Sequence, residues 1–396
     1  MSKKIAIAHD FFFQNGGAEN VVECWLQMYP QAEIFTTIFI PEKFKNNPEL
    51  SRAWLEGRIH VTKVQSFFTR KNGFLLKYFK HFFWLYPILM RFVTIKSFDT
   101  LLISSTDCAK QVRVQNVGQI INYCHTPTRY LHGLITEQDH AALNPLIQLI
   151  LPVFKYFLRR LDLDAAKYLT DHKAIWLANS KYIQGLIKNI YQVDSKVVYP
   201  PVNLGKFQKI QRTINNQGSF FLCHGRVSFH KRLDIAILAC LEAGVKLKIS
   251  GTSALTTQMQ DLEQLVDEYC LKHADKKDLV EFLGRTSDEQ LATLVSECKG
   301  FLFPGKEDFG IAPIEMLAAG MPIIAYKAGG ALEYVQPFIN GMLVDNQEVD
   351  SWVEAIRQFE QFSQNNHWNE VEIRNSTLPF DQKYFKSSIL KLVINN

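Results

Sequence analysis

Lys299–Tyr326, KGFLFPGKEDFGIAPIEMLAAGMPIIAY, is the stretch that decides the fold. Gly300 to Phe303 is a short apolar run closed by Pro304 and Gly305, the pattern of a buried parallel strand. A polar loop, Lys306 to Gly310, follows. Pro313 is placed as a first helical residue and Gly320 as a stop, which predicts a short helix through Glu315. Pro322 to Ala325 then resumes a strand. Strand, loop, helix, strand is the unit of an open α/β sheet. Its loop lies where unpaired amides and a helix dipole favour an anion.

Glu307 and Glu315 flank that loop with seven residues between them. A carboxylate beside a phosphate repels it, so the pair suits neutral hydroxyl groups, ribose on one side and a hexose on the other. A plainer account stands beside this one: Glu315 complements its own helix dipole and Glu307 is an exposed loop charge.

The spacing resembles the E-x7-E signature of retaining glycosyltransferases of family 4, which have the two-domain GT-B architecture. Within that family the chain resembles the WbaZ-like group of bacterial mannosyltransferases. The resemblance implies an α/β fold of two facing Rossmann-like domains with a C-terminal helix crossing back to the first. It implies limits at 1–207 for an acceptor- and membrane-facing domain and 208–378 for a nucleotide-sugar-binding domain. Residues 379–396 are then the returning helix.

Bulk properties agree with two globular domains. The chain has 396 residues, 47% hydrophobic and 21% charged, with a net charge of +5 that does not by itself indicate nucleic acid. Seven scattered cysteines without C-x-x-C spacing predict neither a disulfide framework nor a zinc site, and point to a reducing compartment. Ile5 to Ala8 is too short for a signal peptide and ends in His9-Asp10, so it reads as a first strand. No uncharged apolar stretch reaches membrane-spanning length.

After that strand, Gly16 and Gly17 precede a helix expected over Val21 to Met28. Two glycines there let amides approach a diphosphate, although from the residues alone a plain turn is the preferred reading. The resemblance places this loop against the donor diphosphate. From Arg58 to Phe98 there is no Asp or Glu, and basic residues alternate with aromatic ones. Three accounts stand: a segment lying on an anionic bilayer, aromatic core with solvated lysines, or a single-strand nucleic-acid face. The first is preferred, because an interfacial segment tolerates this much apolar surface, and no nucleic-acid partner is expected.

Further strands are expected over Leu101 to Ser105 and Gly118 to Tyr123. The second leads into Cys124-His125-Thr126-Pro127-Thr128-Arg129-Tyr130, a C-H-T-P-x-R-Y motif similar to that of the WbaZ-like group. By resemblance His125 lies beside the donor sugar and Arg129 holds an acceptor. Leu146 to Leu161 predicts an amphipathic helix that either packs on the core or extends a membrane face. Asp162-Leu163-Asp164 lies inside a helical pattern and reads as surface charge, so no metal is predicted. Val197 to Val202 is expected as the last strand of the first domain and Gln208 to Gly218 as the linker.

Phe220 to Arg226 opens the second domain. Arg226 and Lys231 follow a strand and suit a departing diphosphate. The family pattern G-R-x5-K makes them the leaving-group clamp. In the same way the resemblance puts the nucleotide base at Gly284-Arg285. Gly329-Gly330 is another glycine turn before a helix, and it is expected near the phosphates. Ser253, where related sequences usually carry glycine, is a departure.

Together these imply a metal-independent retaining hexosyltransferase without a cofactor, its donor GDP-mannose or a UDP-hexose. The implied catalytic set is Glu307, Arg226, Lys231 and His125. Donor binding is assigned to Gly16, Gly17, Arg226, Lys231, Arg285, Glu307, Phe309, Gly310, Ile311, Ala312 and Glu315. The expected acceptor is a lipid-linked saccharide, at the cytoplasmic face of a membrane with which the protein is peripherally associated. A nucleotide-sugar epimerase or hydrolase of the same fold, or a non-catalytic membrane-associated partner, are the alternatives.

Overall fold

A computed structural model describes residues 3–13, 16–69, 84–134, 145–212, 219–253, 256–366 and 368–394. The chain forms two units, Met1–Pro201 with Gln382–Asn396, and Val202–Asp381. The expected limits at 207 and 378 lie inside the second unit.

The first unit holds a seven-stranded parallel sheet: β1 (Ile5–His9), β2 (Glu33–Thr36), β3 (Ile59–Val61), β4 (Thr94–Ser105), β5 (Arg113–Cys124), β6 (Ile175–Ala178) and β7 (Lys196–Val197). Their order is β3-β2-β1-β4-β5-β6-β7. The sheet is buried on both faces, so β1 is apolar from Ile5 to Ala8 and buried throughout, the signature of a parallel sheet covered by helices. Trp25 and Leu26 cover one face, from the helix Gly17–Met28. The final helix, Gln382–Ile394, packs Phe385, Ile389 and Val393 into that same core.

The second unit holds a six-stranded parallel sheet: β8 (Phe220–His224), β9 (Lys246–Ser250), β10 (Val280–Gly284), β11 (Gly300–Phe303), β12 (Ile323–Tyr326) and β13 (Gly341–Val344). Their order is β10-β9-β8-β11-β12-β13. Each sheet therefore reverses its strand order once, between β1 and β4 and between β8 and β11. Ligands of doubly wound sheets bind at the carboxyl ends of strands at such a point. Both units are Rossmann-like, as expected.

Several expectations need correction. The helix after β11 runs Ile311–Ala318, so Pro313 is its third residue and not its first. Proline is tolerated there because none of the first four helical N–H groups has an intrahelical partner. The last strand of the first unit is only Lys196–Val197, and Val202 instead bridges to Asp381 in the second unit. The start of the expected linker is not loose. Arg212 donates to the carbonyls of Val295 and Cys298, at 3.1 and 2.8 Å. Residues 213–218 of that linker lie outside the described residues.

Much of the described part of 58–98 is core. Ile59, Tyr86, Met90, Ile95 and Phe98 are all buried, because β3, the first half of β4 and the helix Tyr86–Arg91 are built from them. Residues 70–83, with Lys71, Lys77 and Lys80, lie outside the described residues. All seven cysteines are buried and none forms a disulfide. Among the described residues no helix is long and apolar enough to cross a membrane.

Candidate active site

The carboxyl edge of the second sheet gathers the expected donor residues. Arg226 and Lys231 follow β8, Arg285 follows β10, and Glu307 to Gly310 follow β11. Two loops are forced together here. A Cβ on Gly305 would lie 2.6 Å from the His230 carbonyl and the Lys231 Cα, so only glycine allows the approach. The result is an ion pair, Lys231 Nζ to Glu307 Oε1 at 2.6 Å. Both side chains remain partly accessible, at 15% and 20%. The Lys231 ammonium also lies over the Phe303 ring, 5.7 Å from its centroid.

The loop carrying Glu307 is braced from behind. The Gly330 amide donates to the Glu307 carbonyl at 2.8 Å. Cβ atoms on Gly329 and Gly330 would stand 2.2 Å from the Glu307 carbonyl oxygen and 2.1 Å from that of Phe309. The Gly329-Gly330 turn therefore packs directly on the backbone of Glu307 and Phe309. Phe309 itself is buried against Tyr334 and Phe380, with ring centroids 6.1 and 5.8 Å away. Its side chain is core, so only its backbone is left to meet a ligand.

Gly310, at φ +88, is the N-cap of the helix Ile311–Ala318 and has no side chain to cap it. The amides of Ile311 and Ala312 therefore start a helix whose own N-cap residue offers them no acceptor. Glu315 sits one turn in. Burial, reinforced by Asp288 and opposed by Lys206, raises its carboxyl to about 7. Among the described residues no side chain hydrogen-bonds or ion-pairs with it, and Lys206 pairs with Asp288 at 2.7 Å. An acceptor group with that much desolvation and no protein donor is suited to ligand hydroxyls.

A small cavity lies beneath Lys231, lined by His224, Gly225, Arg226, Ser250 and Phe303 among others. His224 hydrogen-bonds Ser250 at 3.0 Å, and burial with Lys231 and Lys206 nearby lowers its ring to about 4. It is a neutral neighbour of the cationic loop. Arg226 and Arg285 are exposed at the edge. Gly284, at φ +64, accepts from the Gly251 amide at 2.7 Å. Ser253 is absorbed into the loop structure by a bridge with Val227.

In the first unit the expected residues also share one edge. Gly16 is extended and precedes the helix that starts at Gly17. His125 follows β5 and is buried, its carbonyl held by Asn179 Nδ2 at 2.9 Å. Burial, with His9 nearby and Asp10 opposing, lowers its ring to about 3, so it is neutral. Two further residues of the C-H-T-P-T-R-Y motif brace neighbouring elements. Thr128 donates to Asp162 at 2.8 Å, and Tyr130 donates to Asp107 at 3.0 Å. Arg129 is half-buried.

Asp162 overturns the surface-charge expectation. It is buried, pairs with Lys110 at 2.8 Å, and accepts from His132 and Tyr191 at 2.8 Å each. Lys110, fully buried, spends its other protons on the Asp107 carbonyl and Thr128. Asp164 is exposed. Among the described residues no group of three or more His, Cys, Asp or Glu is arranged to hold a metal ion.

A family model described as Glycosyl transferases group 1 matches residues 206–370, nearly all of the second unit. The second unit matches the group 1 glycosyltransferases. The chain is 28% identical over 271 residues to the Alpha-1,3/1,6-mannosyltransferase ALG2 of Homo sapiens, covering 61% of this chain and 59% of that protein. It is 23% identical over 334 residues to the enzyme of that name from Rhizomucor pusillus, covering 71% and 69%. A crystal structure of Anabaena Alr3699/HepE in complex with UDP superposes over 99% of this chain and 100% of that one. Its TM-score is 0.66 at 16% identity, a likeness of fold. The GT-B assignment follows from that likeness across both units. Identities below 30% leave the subgroup within group 1 undivided.

Sequence reasoning missed His9, Asp10 and Ser104. The Asp10 carboxylate takes the amides of Thr106 at 2.7 Å, Asp107 at 3.0 Å and Ala109 at 2.5 Å, fixing the loop after β4. His9 and Ser104 are register partners at the ends of β1 and β4. Polar residues closing apolar strands were the available signal.

Proposed function

We propose that the chain is a retaining, metal-independent hexosyltransferase of the WbaZ-like kind. It moves a hexose, mannose from GDP-mannose first, to a lipid-linked saccharide at the cytoplasmic face of a membrane. The observation that carries the reading is the Lys231–Glu307 pair beside a helix N-terminus whose N-cap is glycine. A cation and a carboxylate there meet the two halves of a sugar diphosphate: the leaving diphosphate and the hexose hydroxyls.

Glycosyl transfer is limited by charge that develops on the departing diphosphate. Lys231 and Arg226 supply fixed positive charge, and the amides of Gly310 to Ala312 add the helix dipole. Glu307 accepts hexose hydroxyls, and Glu315 accepts those of ribose. No carboxylate is assigned as a base. In same-face attack the leaving phosphate oxygen takes the acceptor hydroxyl's proton as the new glycosidic bond forms and the anomeric carbon–oxygen bond breaks.

Mannose is favoured by the relatives named as mannosyltransferases. A UDP-hexose is the second reading, favoured by the structural neighbour solved with UDP-glucose. Membrane contact is supported by the helix Pro145–Asp171. Phe154, Tyr156 and Phe157 are exposed there at 40%, 72% and 52%, interleaved with Lys155, Arg159 and Arg160.

The test is transfer from radiolabelled GDP-mannose and UDP-glucose into a bacterial lipid extract, followed by the anomeric configuration of the product. Label in lipid with the donor's α configuration kept supports the reading. Free hexose alone would make the chain a hydrolase, and an inverted product would remove the retaining mechanism.

A further inference from the structure

Four buried side chains of the first unit form a line that ends on His125, and three of them, Glu19, His9 and Ser104, have no part in the transferase reading. Glu19 Oε1 lies 3.9 Å from His9 Nε2. His9 Nδ1 lies 3.0 Å from Ser104 Oγ, and Ser104 Oγ lies 2.9 Å from His125 Nε2. The four come from the helix Gly17–Met28, the last residue of β1, the end of β4 and the turn after β5. They meet because β1, β4 and β5 are neighbours in register, at the place where the sheet reverses its order.

We infer that the line Glu19–His9–Ser104 fixes His125 as the Nε2–H tautomer. Its Nδ1 lone pair is then the atom offered to a substrate hydroxyl. Ser104 has one proton and two lone pairs and stands between two ring nitrogens. With that proton kept inside the line, it donates to one ring and accepts from the other, and two orders follow. In the first, His125 Nε2–H donates to Ser104, Ser104 donates to His9 Nδ1, and His9 turns its Nε2–H toward Glu19. In the second, every donor is reversed and the His9 Nε2 lone pair faces the carboxylate.

Glu19 selects the first order. At 3.9 Å it is too far for a direct hydrogen bond. The pair is nevertheless buried, where a proton facing a carboxylate and a lone pair facing one differ strongly in energy. Glu19 is itself confined, since a Cβ on Gly16 would come within 3.1 Å of its Oε2. Asp10 hydrogen-bonds neither ring, because three backbone amides occupy its carboxylate. Among the described residues His125 Nδ1 has no protein partner. The ring is therefore an acceptor, which discriminates for a hydroxyl and against a deoxy or fluoro substituent at the same carbon. His9, Ser104 and Glu19 are positioning residues. That the hydroxyl belongs to a hexose rests on the transferase reading; the tautomer does not.

The experiment is long-range 1H–15N correlation on the full chain labelled with 15N-histidine, the His125 signals being assigned by their loss in His125→Gln. The wild type is expected to show His125 protonated at Nε2. Glu19→Gln removes the charge but keeps the shape, and it lies three groups away. It is expected to move His125 toward the Nδ1–H form at an unchanged unfolding midpoint. Ser104→Ala is expected to do the same, and Ser104→Thr to restore the wild-type pattern. A His125 protonated at Nδ1 in the wild type, or one at Nε2 in every variant, overturns the inference. All of these readouts stand whether or not any sugar is transferred.

Discussion

Lys231 Nζ stands 2.6 Å from Glu307 Oε1, joining the loop after β8 to the loop after β11 where the second sheet reverses its strand order. A cation and a carboxylate are thereby held in one place by two short loops. Replacing Lys231 with Ala is expected to lower kcat/KM by about 100-fold or more, since it removes charge aimed at the leaving group. Glu307→Ala should abolish turnover while circular dichroism stays native. Near-normal turnover in either variant would remove the site assignment.

Glu315 couples the site to pH. Its carboxyl is raised from 4.5 to about 7, chiefly by burial. The folded state then holds a proton that the unfolded state releases, so stability falls as pH rises from 4.5 through about 7 and levels off above. The displacement is worth on the order of 3 kcal/mol at most. Binding should run the other way, because only the ionised group accepts two ribose hydroxyls. Nucleotide affinity is expected to tighten between pH 6 and 8 in the wild type and to stay flat in Glu315→Gln. Titration calorimetry across that range reads both.

The Lys110–Asp162 pair is expected to hold the first unit together. Burial opposes ionisation of Asp162, but Lys110 and the hydrogen bond from His132 bring its carboxyl down to about 2. A lowered value adds stability above pH 3.8 that is lost as pH falls toward 2. Asp162→Asn leaves a buried ammonium without its counter-charge and should cost roughly 3–5 kcal/mol. Urea unfolding at pH 7 measures the loss. A cost below about 1 kcal/mol, the range of a surface pair, would contradict the assignment.

Gly330→Ala tests the brace behind Glu307. The new Cβ would meet the Phe309 carbonyl at 2.1 Å, so the 306–310 loop must move. Activity is expected to fall with little change in KM for the acceptor, and a crystal structure of the variant should show Glu307 displaced from Lys231.

For the membrane face, Tyr156→Ser with Phe157→Ser and Arg159→Glu is expected to weaken sedimentation with anionic vesicles, leaving neutral vesicles unaffected. Unchanged sedimentation would assign this exposed surface to another partner.

Much of this was readable in the chain. Apolar runs closed by glycine or proline gave β8 and β11 nearly to the residue, because a parallel strand covered on both faces reads as a continuous apolar run. Glu307 and Lys231 were legible because they close loops at strand ends. Asp162 was hidden by its D-x-D setting, although it falls on the same helical stripe as the buried Leu158, Ala165 and Leu169. His9, Ser104 and His125 are far apart in sequence. They become neighbours only once the order β1-β4-β5 is known, and no local pattern encodes strand order.

The most direct measurement is a thermal-shift panel of GDP, GDP-mannose, UDP and UDP-glucose on the wild type and on Lys231→Ala. A ligand that binds only the folded chain raises the midpoint by mass action. The account predicts a rise with one nucleotide class, GDP first, and its loss in Lys231→Ala. A midpoint unmoved by every nucleotide would contradict it.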